Sequence, residues 1–444
     1  MPVLSRKTPF ILLLGDIAAL CAALWLTLVV RYPGMPDGQI LADHFYPFSF
    51  LFLIWVAVYF IAGLYERQVM VSSRRLSQSL FYSQIANLGL AAVFFYFVTF
   101  TSISPKTNLV IFLVLSSALI LLWRLQIYGM FSGRKKERAL LVGSGAEMRE
   151  LLAQVNGSPR YQFHFEHVVD LDGEHYAAGL ADKVRAEGIS LIVVDFYNSK
   201  AKAIMPDLYA LMVSNRARFA DMHAVYEDVF DRVALSILGD DWFVTNFSMQ
   251  PKVVYDSVKR IADFLAALVF GAISLVFYPF VYIAIKLDDH GPIFVMQERV
   301  GKDSKTIRIP KFRSMRTSDR GVWVKEHDDR ITRVGKFLRQ TRIDELPQLY
   351  SVLKGDMSLV GPRPDIYDLG MKLLAEIPYY QLRNVIKPGL SGWAQIRQEL
   401  PPQSLEETKM RLAYDFYYIK NRSLGLDLKI AAQTLATLAS RVGK

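Results

Sequence analysis

The sequence predicts a membrane protein of the membrane α plus α/β class. It combines four transmembrane helices, a Rossmann-like parallel-sheet domain and a C-terminal α+β domain with a kinked re-entrant membrane helix. Three observations support this: four early apolar runs, a strand–glycine–helix pattern after them, and a fifth apolar run that contains a proline. The expected bounds are 1–133 for the transmembrane domain, 134–250 for the Rossmann-like domain and 251–444 for the last domain.

The composition is that of a membrane protein rather than of one soluble domain. The 444 residues are 52% hydrophobic and carry a formal net charge of +10. The basic residues do not form one block of the kind that marks a nucleic-acid-binding tail, so no nucleic-acid partner is expected. The one cysteine, Cys21, excludes an intrachain disulfide and a cysteine-based metal cluster.

Four apolar runs are each about long enough to cross a bilayer core of ~30 Å. They are Phe10 to Val30, Pro47 to Tyr65, Leu80 to Phe100 and Asn108 to Tyr128. Backbone polar groups need internal partners in lipid, so each run is predicted to be a helix. Lysine and arginine concentrate before the first run, after the second and after the fourth. The positive-inside rule therefore places both ends of this four-helix domain in the cytoplasm.

The segment 139–152 has the pattern of a strand, a glycine turn and a helix, and 188–196 has the pattern of a second buried strand. Gly143 and Gly145 resemble the start of a dinucleotide fingerprint, but Met148 occupies the third glycine position. No convincing acidic ribose partner follows. We interpret this domain as one that keeps the nucleotide-binding fold without the cofactor. A dehydratase or epimerase would need a complete fingerprint and a Tyr-x-x-x-Lys pair, which is not found in an apt position.

The fifth apolar run extends from Ile261 to Ile285 and is long enough to span a membrane. Its flanks are basic on both sides, so a crossing would translocate the most basic stretch of the chain. Pro279 lies inside the run and is expected to bend the helix. A helix over about 258–287 that enters one leaflet and returns satisfies length, charge and proline together. A plain span with a kink remains the alternative.

The segment 297–315 is dense in lysine and arginine, and Ile307 and Ile309 alternate with polar residues as in a strand with one exposed face. Such a strand beside the membrane suits a ligand with two or three phosphates. The alternative is a solvated basic face, or attraction to anionic lipid headgroups.

Two adjacent carboxylates, Asp344 and Glu345, begin a predicted helix that runs to Lys354 and stops at Gly355. The simplest interpretation is that Asp344 caps this helix and Glu345 complements its dipole. Neighbouring helical residues point about 100° apart, so the two acids are also able to do two separate chemical jobs.

Arg363 lies between two prolines, which restrict its backbone and present its guanidinium as a phosphate clamp. An ionised carboxylate beside a phosphate needs a cation between them, and Mg²⁺ binds through one or two carboxylates plus substrate phosphates. Together these residues indicate phosphoryl-type transfer at the cytoplasmic leaflet, with a carboxylate as nucleophile. The adjacent membrane helix implies that one substrate is a lipid.

Four sequence blocks occur in a familiar order: KFRSM at 311–315, DELPQ at 344–348, KGDMSLVGPRP at 354–364 and KPGLSGWAQ at 387–395. With them, residues from about 255 to 444 resemble the bacterial sugar transferases, the monotopic phosphoglycosyl transferases. Those enzymes move a sugar-1-phosphate from a UDP-sugar onto polyprenyl phosphate. The preceding spans and nucleotide-fold-like domain resemble the large members, which prime exopolysaccharide, capsule or O-antigen synthesis.

The resemblance implies roles for individual residues. Asp344 would attack the β-phosphate of a UDP-hexose, release UMP and hold the sugar-phosphate until undecaprenyl phosphate accepts it. Glu345 would assist, and both acids would be ligands of Mg²⁺. The expected phosphate-binding residues are Arg363, Arg313, Lys311 and Arg342.

The resemblance also implies a setting. The kinked helix maps onto Pro279, although members often carry a serine where this chain has Tyr278. The expected location is the bacterial inner membrane, with the catalytic domain against lipid on the cytoplasmic face, and a homodimer is compatible with it. Glucose and galactose both suit the donor. The alternative function is a non-catalytic scaffold of polysaccharide assembly, which would make no use of Asp344 or Arg363.

Two further segments are predicted with open roles. In 387–395 we expect a turn at Pro388-Gly389 with Trp393 packed nearby, serving either structure or nucleotide and sugar recognition. In 412–435 we expect amphipathic helices whose aromatic residues suit either the lipid headgroups or the catalytic core.

Overall fold

The chain divides into two compact units, Met1–Val229 and Phe230–Lys444. The computed structural model describes residues 8–32, 35–62, 64–65, 73–97, 106–132, 136–158, 161, 163–173, 184, 186–215, 217–235, 239, 242–243, 245, 252–288, 290–316, 330–398 and 401–441.

The first unit begins with four long apolar helices: α1 (Thr8–Arg31), α2 (Gly38–Ile61), α3 (Ser73–Phe97) and α4 (Lys106–Ser132). Helix α2 starts before Pro47, its predicted first residue. The reason is the Asp37 side chain, which accepts a hydrogen bond from the Ile40 backbone N–H at 2.8 Å and so caps the helix. Each of these four helices contains a stretch long and apolar enough to cross a membrane.

One ion pair lies inside this helix bundle. Asp16 of α1 and Arg124 of α4 are 0% and 3% exposed, and Arg124 Nε donates to Asp16 Oδ1 at 3.2 Å. A second guanidinium nitrogen of Arg124 donates to the backbone oxygen of Leu64, just beyond the end of α2. A buried charge is costly unless it is paired, and these hydrogen bonds connect α1, α4 and the end of α2.

The rest of the first unit contains a parallel sheet, as the sequence predicts, and this sheet has four strands in the order β2-β1-β3-β4. The strands are β1 (Glu137–Gly143), β2 (Phe163–Asp170), β3 (Leu191–Val194) and β4 (Arg218–Asp221). The described helices around it are α5 (Gly145–Asn156), α6 (Ala201–Asn215) and α7 (Met222–Phe230). Protein side chains pack the glycine turn after β1: a Cβ on Gly143 would lie 2.7 Å from Met222 Sδ, and Asn198 donates to Ser144 Oγ at 3.0 Å.

The second unit begins its apolar part with two helices, α8 (Val253–Ser274) and α9 (Tyr278–Asp288), separated by a 3₁₀ turn at Leu275–Phe277. Together they make the fifth stretch able to cross a membrane, by length and composition. Pro279 is the second residue of α9, where the missing N–H costs no helical hydrogen bond. The change from 3₁₀ back to α-helix falls at Tyr278, the residue before Pro279.

Two small sheets follow among the described residues. Strands β5 (Phe294–Val300) and β6 (Thr306–Phe312) are antiparallel, whereas β7 (Ser358–Val360) and β8 (Gly389–Ser391) are parallel. In the described part of this unit the other α-helices are α10 (Arg333–Gln340), α11 (Leu349–Lys354), α12 (Tyr367–Glu376), α13 (Trp393–Arg397), α14 (Leu405–Asn421) and α15 (Leu424–Arg441).

Side chains of α8 attach the membrane helix to the soluble part of this unit. Asp263 is 7% exposed and accepts hydrogen bonds from Ser358 Oγ at 2.7 Å and from the Leu359 N–H at 3.3 Å. One turn earlier, Arg260 donates to the backbone oxygens of Val352 and Leu353 at 2.6 and 2.8 Å. The membrane helix is therefore bonded to both β7 and α11.

The C-terminal helices resolve one of the open alternatives. Phe416 and Tyr418 of α14 are 0% and 1% exposed, so these aromatic side chains pack in the core rather than in a lipid headgroup layer. The Tyr418 hydroxyl donates to Asp427 Oδ1 of α15 at 2.7 Å, which joins the last two helices.

Candidate active site

The paired acids lie in a 3₁₀ turn, not at the start of an α-helix as predicted. The turn spans Ile343–Gln348 and follows Arg342, whose φ of 60° is left-handed. Pro347 has no N–H to donate to the fourth residue before it, so α-helical bonding begins only after the proline, at Leu349. The predicted stop is confirmed, because Gly355 caps α11 with a φ of 98°.

Glu345 is the centre of a cluster of cations. Its Oε1 accepts from Arg363 Nη2 at 2.6 Å and lies 3.4 Å from Arg342 Nη1 and 4.0 Å from Lys311 Nζ. Burial alone would raise the pKa of Glu345, but Arg363, Lys311 and Arg342 outweigh it and hold the pKa well below its usual value. Glu345 is therefore an anion that keeps three cations together.

Asp344 differs from its neighbour although they are adjacent in the chain. Its residue surface is 7% exposed, and among the described residues its buried Oδ1 has no hydrogen-bond partner. Burial, followed by the charge of Glu345, raises the pKa of Asp344 to about 6, against the opposing effect of Lys311 and two arginines. At neutral pH the carboxylate is thus mostly ionised while one of its oxygens is left without a protein donor.

Strand β6 brings Lys311 to this cluster. Ile309 and Lys311 lie two residues apart and so share one face of the strand, which is the buried face. Burial lowers the pKa of Lys311 to about 8, and Arg299 and Arg363 act in the same direction while Glu345 opposes them. The lysine is a cation at neutral pH, but its pKa lies only about one unit higher.

The backbone around Arg363 is held by other arginines. Arg383 Nη2 donates to the Arg363 oxygen at 2.8 Å, and Arg299 Nη1 donates to the Pro364 oxygen at 2.9 Å. Arg383 is 2% exposed and pairs with the buried Asp365 and Asp415. The guanidinium of Arg363 is therefore presented from a backbone that is fixed on both sides, as the flanking prolines predict.

A cavity of about 1140 Å³ contains the cluster and extends beyond it. Its polar wall includes Asp344, Glu345, Lys311, Arg342 and Arg363. Its apolar wall includes Phe270, Ile273 and Phe277 from the membrane helix and its 3₁₀ turn. The cavity thus places charged groups and membrane-helix side chains around one space, and its volume exceeds the ~300–1,000 Å³ typical of a small-molecule site.

The predicted site residue Arg313 and the predicted helix break at Pro279 lie less centrally. Arg313 lines the same cavity, and its Nη2 donates to the Arg316 backbone oxygen at 3.2 Å while its guanidinium covers Gly291. Tyr278, beside Pro279, packs edge-on against Phe312 with ring centroids 4.8 Å apart. The aromatic residue that replaces the expected serine thus connects the helix break to the strand that carries Lys311.

Comparison with known proteins places these features in a family. A family model described as bacterial sugar transferase matches residues 254–441. The chain is 43% identical over 202 residues to the UDP-N-acetylgalactosamine-undecaprenyl-phosphate N-acetylgalactosaminephosphotransferase of Aeromonas hydrophila, covering 44% of this chain and 47% of that protein. It is 41% identical over 192 residues to the UDP-glucose:undecaprenyl-phosphate glucose-1-phosphate transferase of Caulobacter vibrioides, covering 42% and 72%. The chain belongs to the bacterial sugar transferase family.

The family-model match lies within the second unit. The exopolysaccharide production protein PSS of Rhizobium leguminosarum bv. phaseoli is 39% identical over 194 residues, which are 41% of this chain and 96% of that protein. By contrast, the match spans about half of the Aeromonas relative. The bacterial sugar transferase match contains the whole charged cluster, and the predicted family resemblance is confirmed.

Sequence reasoning missed the second layer of this family site. Asp365, Arg383 and Asp415 form one buried network, yet they come from separate elements and follow no motif spacing. The one available signal was the position of Asp365, directly behind the second proline of GPRP. Arg299 lies in the basic segment 297–315, where no motif sets it apart from its neighbours.

Proposed function

We propose that this protein transfers a sugar-1-phosphate from a UDP-sugar to undecaprenyl phosphate, through a covalent intermediate on Asp344. One observation carries the proposal: Asp344 is a buried carboxylate with an unpartnered oxygen, in a cavity that also contains Lys311, Arg342 and Arg363. The names of the relatives support the choice of substrates, since two of them name a UDP-sugar and undecaprenyl phosphate.

In the first half-reaction, an Asp344 carboxylate oxygen attacks the β-phosphorus of the UDP-sugar. The bond from that phosphorus to the bridging oxygen breaks, and the electron pair leaves with UMP. The β-phosphate, still carrying its sugar, is then an acyl phosphate on Asp344. A pKa of about 6 suits this role, because the carboxylate is ionised at neutral pH without being tightly bound by a protein donor.

The cations hold the phosphates during this step. Arg363 and Lys311 face the carboxylates from two different elements, so a diphosphate between them would be contacted from two sides. Glu345 keeps Arg363, Arg342 and Lys311 in one place when no phosphate is bound, which limits the reorganisation needed for substrate.

The site suits a magnesium ion that is coordinated by both the protein and the substrate. No group of three or more His, Cys, Asp or Glu side chains able to hold a metal occurs in the part of the chain that the structure describes. Asp344 Oδ1, buried and without a donor, is suited to a cation, and Asp344 and Glu345 would hold Mg²⁺ together with the diphosphate. Bound Mg²⁺ would supply neutralisation of the phosphate charge.

In the second half-reaction, an oxygen of undecaprenyl phosphate attacks the same phosphorus and releases the Asp344 carboxylate. The apolar wall of the cavity, from Phe270 to Phe277, comes from the membrane helix and suits a polyprenyl chain. We propose that α8 and α9 form a re-entrant helix with its break at Leu275–Phe277, entered from the cytoplasmic face of the bacterial inner membrane. Its basic flanks and the 3₁₀ turn before Pro279 support this path.

The sugar is proposed to be a hexose. The relatives named above use glucose in one case and N-acetylgalactosamine in another, so their names do not select one. A role in exopolysaccharide synthesis is supported by the name of the Rhizobium relative.

The test is UMP release by the purified full-length protein in nanodiscs with Mg²⁺ and undecaprenyl phosphate. The donors are UDP-glucose, UDP-galactose and UDP-N-acetylgalactosamine, and the variant is Asp344→Asn. We expect UMP with one or two donors, and its loss in the variant. Mass spectrometry of protein incubated without undecaprenyl phosphate should show a phosphosugar on the peptide that contains Asp344.

Two results would contradict the proposal. Equal UMP release from Asp344→Asn would remove that residue from the nucleophile role. No UMP from any donor, with a folded and lipid-supplied protein, would favour the scaffold function instead.

A further inference from the structure

Asp231 lies before the segment that matches the family model, which begins at residue 254. It is the second residue of the second unit, and its φ is 55°. A left-handed conformation is uncommon for any residue with a side chain, although Asp and Asn tolerate it best. Such a backbone persists where the surrounding contacts over-determine it.

Three donors converge on this residue. Trp393 Nε1 donates to the Asp231 backbone oxygen at 2.9 Å, and Arg397 Nη2 donates to its Oδ2 at 2.7 Å. The Tyr417 hydroxyl donates to Oδ1 at 3.3 Å. Trp393 and Arg397 are the first and last residues of α13, so Asp231 is bonded to both ends of that helix.

The same residues stack on one another. The Arg397 guanidinium lies over the Trp393 ring, 4.3 Å from its centroid, and the Tyr417 ring stacks on Trp393 at 5.9 Å. Helix α13 has only five residues and so has little stability of its own. These contacts therefore help to fix its position, and Asp231 supplies the carboxylate in them.

The other residues of α13 line the catalytic cavity: Ala394, Gln395 and Ile396. Gln395 Oε1 is buried and has no hydrogen-bond partner among the residues that the structure describes. An amide oxygen in such a place is suited to a donor on a bound molecule. In a UDP-sugar, the uracil N–H and the sugar hydroxyls are donors of this kind.

We infer that Asp231 is a positioning residue: it holds α13 so that Gln395 faces a hydrogen-bond donor of the bound UDP-sugar. The inference rests on the proposed function for its substrate. It extends the working site beyond the family segment, to the point where the chain enters the catalytic unit. Asp231 acts through α13, so its loss weakens substrate binding more than it slows the chemistry on Asp344.

The experiment compares Asp231→Gly with wild type, using full-length protein in nanodiscs. Glycine adopts the left-handed backbone freely, so this change removes the side chain with its carboxylate and keeps the backbone oxygen that Trp393 bonds. Steady-state UMP release is measured against the concentration of UDP-glucose and of UDP-N-acetylgalactosamine. Hydrogen–deuterium exchange is measured in parallel on peptides from 389–398, with no substrate present.

We expect the KM for the UDP-sugar to rise about tenfold, with kcat changing much less, which corresponds to about 1.4 kcal/mol of lost binding. Exchange in 389–398 should become faster, while exchange in 349–354 stays the same. Asp231→Asn keeps a side-chain acceptor and should lie between the two. Arg397→Gln removes the partner and should raise the KM in the same direction.

Asp303 provides the matched control. It is exposed and has the same φ of 55°, so Asp303→Gly makes the same chemical change away from α13 and should alter neither readout. Unchanged KM and unchanged exchange in both Asp231→Gly and Arg397→Gln would overturn the inference, as would a fall in kcat at constant KM. Absence of UMP from wild type would count against the proposed function alone, because the exchange measurement still decides whether Asp231 holds α13.

Discussion

Replacing Asp344 by asparagine should stabilise the protein while removing its nucleophile. Asp344 has its pKa raised from 3.8 to about 6, mainly by burial and by the charge of Glu345. Because the folded pKa lies above the unfolded one, the folded state binds more protons between these values, and the free energy of unfolding falls as pH rises through this window. Above pH 7 the carboxylate is fully ionised, and its charge lowers the free energy of unfolding by the largest amount.

The size of the effect follows from the shift. Each pKa unit corresponds to about 1.4 kcal/mol, so the charge on Asp344 costs about 3 kcal/mol at pH 7.5 and about 1 kcal/mol at pH 4.5. Asparagine carries no charge at either pH. Asp344→Asn should therefore be more stable than wild type at pH 7.5, by up to about 3 kcal/mol, and the gain should shrink at pH 4.5.

The assay is thermal unfolding of wild type and variant in nanodiscs with EDTA, at both pH values. Glu345→Gln is the matched comparison, because the cations around Glu345 lower its pKa and its charge therefore supports the fold above pH 4.5. That variant should be less stable than wild type at pH 7.5. If Asp344→Asn were destabilised to the same degree, or raised the Tm equally at both pH values, the electrostatic account of this site would be wrong.

Three other outcomes are expected. The rate of UMP release should rise with pH through about 6, as Asp344 ionises, and fall through about 8, as Lys311 loses its proton. Lys311→Arg should keep the rate high to a more alkaline pH. If the fall at alkaline pH were unchanged in this variant, Lys311 would not be its cause. Arg363→Lys keeps the charge but loses the planar guanidinium, so kcat/KM should fall about a hundredfold or more. Arg308→Lys makes the same change at an exposed salt bridge and should leave kcat/KM at the wild-type value. Asp263→Ala leaves the Leu359 N–H without its acceptor and should lower the free energy of unfolding by about 1–3 kcal/mol, measured by thermal unfolding. The control is Asp256→Ala, which removes a half-exposed carboxylate. If Asp263→Ala lowered the stability no more than this control, the connection between α8 and β7 would be refuted.

Periodicity predicted the elements well because apolar spacing depends on local physics. The long apolar helices, the parallel sheet and the basic strand Thr306–Phe312 all follow from hydrophobic length or alternation. The errors lie where one residue overrides a pattern. Asp37 caps α2 before Pro47, and Pro347 replaces the first α-helical turn after Asp344 with a 3₁₀ turn.

The charged cluster was predicted residue by residue, but its pairing was not. Motif spacing brought Asp344, Glu345 and Arg363 together, because they lie within one short stretch. Motif spacing did not show that Glu345 pairs with the cations while Asp344 Oδ1 has no donor. That arrangement depends on the left-handed backbone of Arg342 and on Lys311, which lies on the distant strand β6. The contacts of Asp231 with α13 span more than 150 residues and had no local signal.

The ion pair between Asp16 and Arg124 constrains how the helix bundle assembles. An unpaired charge among apolar side chains is costly, although Arg124 lies near one end of the apolar stretch Thr107–Gln126 rather than at its middle. Arg124 belongs to α4 and its carboxylate partner to α1, while the Leu64 oxygen follows the end of α2. These three groups meet only when the three helices have come together. Loss of Asp16 would therefore leave Arg124 unpaired inside the bundle, and we expect it to weaken the association of the helices rather than any single one of them.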